Sequence, residues 1–210
     1  MSTAVDIANL ALASLSQHAS ITALTGTSLP PVALRCAQNI DIAKDSVLEA
    51  SDWNFAARIM TFEGIADLDD GGGTHPYTYR YQFTPSSTIK PTIARYISVH
   101  EQGRPIDDDS RVLHQLLSEK RLQVPISAGF IRFVSREVNY ADYPAEVITA
   151  VAAKLAYLIA MPITKSLKAQ QAALEKFVQA IRDAERADAM HTYSVKWTDR
   201  PAALLDARRW

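Results

Sequence analysis

The 210-residue sequence predicts an α+β fold: a four-helix-bundle core with an inserted β-rich region and an extended C-terminal tail. Three observations lead there. Apolar residues recur at helical spacing in both terminal thirds of the chain. Aromatic residues crowd the middle, with none before Trp53 and 12 of 17 between Trp53 and Tyr143. The last twenty residues lose the helical period and turn basic, Lys196, Arg200, Arg208 and Arg209 against Asp199 and Asp206. An isolated helical hairpin could not cover its own apolar stripe, so the two helical ends are expected to pack together. The expected division is 1–56 with 141–190 for the bundle, 57–140 for the β-rich insertion and 191–210 for a C-terminal extension that docks a partner.

The first helix is expected over Thr3–Gln17, with Val5, Ala8, Leu12 and Leu15 on one face and Ser2 or Thr3 as the N-cap. A polar, turn-like stretch, Ser20 to Ser28, precedes Pro30 and Pro31, which fit the first turn of a second helix ending near Ala50. Val32, Cys36, Ile40, Ala43 and Val47 form its stripe. Tyr77, Tyr79, Tyr81 and Phe83 then alternate with polar residues, predicting a half-buried strand, and Thr92–His100 and Gly129–Val138 are further strands. Asp67–Pro76 reads as an exposed hairpin tip or crossing loop. Val112, Leu113, Leu116 and Leu117 predict a short helix over Arg111–Lys120. After Pro144 a central helix carries Val147, Ile148, Val151, Leu155, Leu158 and Ile159 until Pro162 stops it. Thr164 or Ser166 caps the last helix, whose stripe is Leu167, Leu174, Phe177, Val178 and Ile181. Its other, charged face reads as solvated or subunit-facing.

Composition narrows the function. With 22 basic and 23 acidic residues the chain has no overall field to attract nucleic acid or an anionic membrane. The longest unbroken apolar run, Leu155–Ile163, is short for a membrane span, and residues 1–15 lack the basic start of a signal peptide. The single Cys36 forms no intramolecular bridge and sits on an apolar stripe, where a buried hydrophobe is expected rather than a nucleophile. His18, His75, His100, His114 and His191 are scattered without metal-ligand spacing. Gly71–Gly73 lead into a strand rather than a helix N-terminus, and Asp107–Asp109 lack a calcium-loop pattern. No catalytic residue, metal site or cofactor is therefore expected, and the chain reads as a non-enzyme.

The linear order of several short elements carries a resemblance. These are Ile7-Ala-Asn-Leu-Ala-Leu-Ala-Ser-Leu15 followed by Ile21-Thr-Ala-Leu24, then Asp52-Trp-Asn-Phe-Ala56, then Tyr77–Pro85, and finally Tyr143-Pro144 with the Ala-rich helix to Met161-Pro162-Ile-Thr164. In this order they resemble the tail tubular protein A family of short-tailed bacteriophages, adaptors between capsid portal and tail. Trp53, Asn54 and Phe55 form its most specific motif, although Ser51-Asp52 stands where a His-Pro pair often precedes the Trp. The resemblance implies a virion protein made in the host cytoplasm: a homo-oligomeric ring, expected to be a dodecamer, between the portal protein and the tail nozzle, tubular protein B. Tail fibres are a further possible neighbour, and genomic DNA would pass through the channel without specific binding or any membrane contact. The family's C-terminal segment typically reaches the portal, which makes Tyr193, Trp197, Arg200, Arg208, Arg209 and Trp210 the expected partner-binding residues. Alternative readings are a neck or completion protein of a long-tailed phage, or a small helical ligand-binding or enzyme domain.

Overall fold

The computed structural model describes residues 3–17, 20–63, 65–66, 79–82, 93–101, 115–118, 121–124, 126 and 128–198. The fold is α+β, and the chain divides into two compact units: Met1–Phe55 with Val138–Trp210, and Ala56–Glu137.

The first unit holds the helices. In α1 (Ala4–Ser14) Thr3 closes a capping box: its hydroxyl accepts from Asp6 N at 3.3 Å while the Asp6 carboxylate accepts from Thr3 N at 2.8 Å. The helix ends earlier than its apolar pattern, because Ser16 turns to a positive φ of 57°. Asn9 does more than interrupt the stripe. Its side chain accepts from Ile21 N at 2.8 Å and donates to Ile21 O at 3.0 Å, tying the following segment to α1. In α2 (Pro31–Leu48), with Pro31 at its first turn, Ala33, Cys36, Ile40, Ala43, Val47 and Leu48 are buried. Val32 is only half-buried. A short 3-10 turn, Tyr140–Asp142, leads into α3 (Ala145–Thr164).

Pro162 does not stop α3, which runs two residues further. A proline in the last turn removes one hydrogen bond near an end that is already losing them. The stop comes from Lys165, left-handed at φ 52°, ψ 26°, whose N–H reaches Met161 O. Ser166, not Thr164, then accepts from Ala169 N at 3.3 Å and starts α4 (Leu167–Thr198). This helix continues through His191–Thr198, where an extended tail is expected from the lost apolar period. The backbone needs no apolar stripe to stay helical: His191–Thr198 contain no glycine or proline, and the first breaker is Pro201. By length and composition α3 could cross a membrane, since only Glu146 and Lys154 break its apolar run. Here it is the hub against which α1, α2 and α4 all pack, α1 and α2 barely touching each other.

The second unit is antiparallel β. Strand β1 (Ala57–Glu63) pairs with β7 (Ala128–Ser135) from Ala57↔Val134 to Glu63↔Ala128. Strand β4 (Ile93–Glu101) lies on the other side of β7, with register breaks at Ile93/Arg95 and Tyr96/Ser98. Val99, Ile131, Phe133 and Val134 are buried in this sheet. A second sheet has the order β2-β3-β6-β5, from β2 (Ile65–Ala66), β3 (Tyr79–Gln82), β5 (Gln115–Ser118) and β6 (Arg121–Val124). The expected helix over Arg111–Lys120 is thus a strand where described: Gln115–Ser118 pair with β6, so tertiary pairing overrides the local Leu116-Leu117 pattern. Tyr77, Phe83, the Asp67–Pro76 loop and Asp107–Ser110 lie outside the described residues.

Candidate interaction surface

The motif Trp53-Asn54-Phe55 follows the end of α2, where the last carbonyls lack helical partners. Trp53 is fully buried and donates its indole N–H to Val47 O at 2.7 Å, a carbonyl that also accepts from Ala50 N. Phe55 packs edge-on against Tyr143 at 5.1 Å and tilts against Trp53 at 6.1 Å. Asn54 fastens the segment to α4, its Nδ2 donating to Asp188 Oδ2 at 2.7 Å and its backbone N–H to the same carboxylate. One tripeptide thus joins α2, the turn before α3, and α4. Its role is positional.

Burial favours the neutral form of two tyrosines before α3. Burial, with Asp41 and Asp45 close by, pushes Tyr140 up to about 12, and burial beside Tyr140 raises Tyr143 as well. Cys36, pushed up to about 11 by burial, has little thiolate near neutrality. In the β unit Ser98 Oγ lies 2.7 Å from His100 Nε2, but both residues are buried. Among the described residues no group of His, Cys, Asp and Glu could hold a metal ion.

The largest feature of the helical unit is a seam and what flanks it. α3 and α4 pack along most of their shared length, and small side chains are buried on both: Ala152, Ala153, Ala156 and Ala160 on α3, Ala173 and Ala184 on α4. Alanines let two helices approach closely, and Lys154 bridges the pair from the side, its ammonium 4.8 Å from the Phe177 ring. The stripe expected on α4 is therefore split. Phe177 and Ile181 are half-buried at the seam, whereas Leu167, Leu174 and Val178 are 60%, 40% and 38% exposed. On the opposite side, α1, α3 and α4 enclose an apolar groove of about 480 Å³ whose walls include Leu10, Ala13, Ala152, Ala156, Ala173 and Ala180. Lys176 crosses it, donating to Ser14 O at 3.2 Å. Glu146 and Asp183 also line it, and both are exposed.

Of the residues expected to bind a partner, Tyr193 and Trp197 stand on the last turns of α4. Arg200, Arg208, Arg209 and Trp210 lie outside the described residues. Sequence reasoning missed the groove and Asp188. The alanine spacing 152, 156, 160 against 173, 180, 184 is a signal that could have revealed the seam, and with it the outward row. No protein-family model matches this chain, and no curated protein matches it.

Proposed function

We propose that this chain is a structural virion protein, a head-to-tail adaptor of a short-tailed bacteriophage that assembles as a ring, expected to be twelve-membered, between portal and tail nozzle. In this reading the four helices act as a bundle, the β unit is its insertion, and the end of α4 with residues 199–210 docks the portal. The observation that carries it is the Trp53-Asn54-Phe55 element, the most specific motif of the resemblance, used here as the clasp between the helical halves on either side of the insertion. An outward row of large apolar side chains on α4 supports self-assembly, since exposed apolar patches mark interaction surfaces. The near balance of 22 basic and 23 acidic residues supports a channel that lets DNA pass, because many phosphate contacts would add up and hold it.

Native mass measurement of the protein mixed with purified portal tests the reading. A portal-bound ring is the expected result. Subunits that stay monomeric and unbound in that mixture would overturn it. Removing residues 199–210 leaves all of α4 in place, so the truncated protein should keep its helical circular dichroism and lose portal binding in a pull-down.

A further inference from the structure

Two unlike surfaces lie on opposite sides of α4. With 3.6 residues per turn, Leu167, Leu174 and Val178 fall within about 40° of one another, while Lys176, Gln179, Ala180 and Asp183 of the groove wall lie roughly half a turn away. One surface protrudes with leucine and valine, the other is recessed because its floor is alanine. A row that met its own copy would leave the groove empty. A row that met the groove of the next copy would cover both.

We propose, resting on the ring reading above, that neighbouring subunits contact head to tail through α4, Leu174 and Val178 of the outward row of one copy seated in the α1–α3–α4 groove of the next. Charge favours this pairing. Glu175 and Arg182 border the row, and Lys176 and Asp183 stand at the groove. Each pair is seven residues apart, about 10.5 Å along a helix, and the order of charges is reversed. When α4 runs along the ring axis, so that neighbouring copies stand parallel and level, Glu175 meets Lys176 and Arg182 meets Asp183. Glu146 adds a second carboxylate to the groove lining. The existing partners of these groups, Ser14 O for Lys176 and Gln179 and Arg186 for Asp183, are on exposed surface and leave room for a second contact.

The angle between the surfaces also bears on closure. Head-to-tail contacts close into a ring only when the two faces are set at the right angle, about 150° for twelve copies and about 60° for three. Faces roughly half a turn apart on α4 are closer to the angle of a large ring than to that of a small one.

Assembly of three variants with purified portal, followed by native mass and circular dichroism, tests the contact. Leu174→Asp with Val178→Asp should keep the helical spectrum and raise the concentration needed for ring formation about tenfold or more. Glu175→Lys with Arg182→Glu should weaken assembly, and adding Lys176→Glu with Asp183→Lys to the same chain should restore it. Rings that form undiminished in the aspartate variant, or a four-site variant that stays as weak as the two-site one, would overturn the contact while leaving the adaptor reading intact. If the unaltered protein forms no ring on the portal, both fail. Disulfide links between Val178→Cys copies within the ring would also overturn it, since the row would then face a row.

Discussion

Trp53 directs its one polar donor to a carbonyl in the last turn of α2 and fills the space beneath Phe55. Replacement by alanine removes both contributions and leaves a cavity, at a cost of about 3–5 kcal/mol. Trp53→Phe should cost clearly less, because the phenyl ring refills most of the space and, with Val47 O still bonded to Ala50 N, losing the indole donor orphans no carbonyl. Urea unfolding followed by far-ultraviolet circular dichroism measures both, and equal losses would contradict the division. A second residue-scale prediction concerns alkali. Cys36 rises from 9.0 to about 11 and Tyr140 from 10.0 to about 12 because burial favours their neutral forms. The unfolded chain ionises first, so stability is unaffected below pH 9.0 and falls as pH climbs toward 12. Melting temperatures across that range should be flat and then decline, and Cys36→Ala should delay the onset. A melting temperature constant to pH 12 would refute it.

At the scale of the element, helix starts were legible, and helix stops and faces only partly so. Lys165 adopts a left-handed conformation that a side chain pays for and glycine adopts freely. Lys165→Gly should therefore stabilise the helical unit by about 0.5–1 kcal/mol, visible as a higher urea midpoint, and a lower midpoint would show that the lysine side chain matters more than the backbone. Thr3, Pro31 and Ser166 could be read from sequence because caps act locally, through a few backbone groups and one side chain. The same holds for Cys36, Ile40, Ala43 and Val47, whose spacing and burial agree. On α4 the pattern misleads. Hydrophobicity ranks leucine and valine above alanine, yet the alanine-rich face of α3 accepts only small partners at close range. Strands β4 and β7 announce themselves by β-branched and aromatic residues, whereas Gln115–Ser118 acquires its extended form from pairing with β6, a long-range condition no local window contains. Asp188 was illegible for the same reason. It stands 134 residues from Asn54, and nothing near it in the chain marks it out.

At the scale of the whole molecule the insertion is closed on itself. Its first and last strands, β1 and β7, pair with each other from Ala57↔Val134 onward, and Ser135 N donates to Ala56 O at 2.9 Å. Entry and exit are therefore neighbours, so a short glycine-serine linker in place of Ala56–Glu137 should leave the helical unit able to fold. A cooperative melt with helical circular dichroism is expected from that protein. A non-cooperative, molten response would mean that the helices depend on the strands. The clasp made by Asn54, Phe55 and Tyr143 stays within the retained residues, which is why this outcome is expected.

The alanine seam also fixes the phase of everything else on α4. Deleting one residue from the first turn of that helix would set Leu174 in the place of Ala173 and Val178 in the place of Phe177, while Ala173 and Ala184 would move to the exposed positions of Ala172 and Asp183. The outward row would be driven into a contact sized for methyl groups, and the exposed positions of Leu174 and Val178 would receive Glu175 and Gln179. A single-residue deletion in the first turn of α4 should therefore destabilise the helical unit, because one register decides which side chains of that helix pack inward.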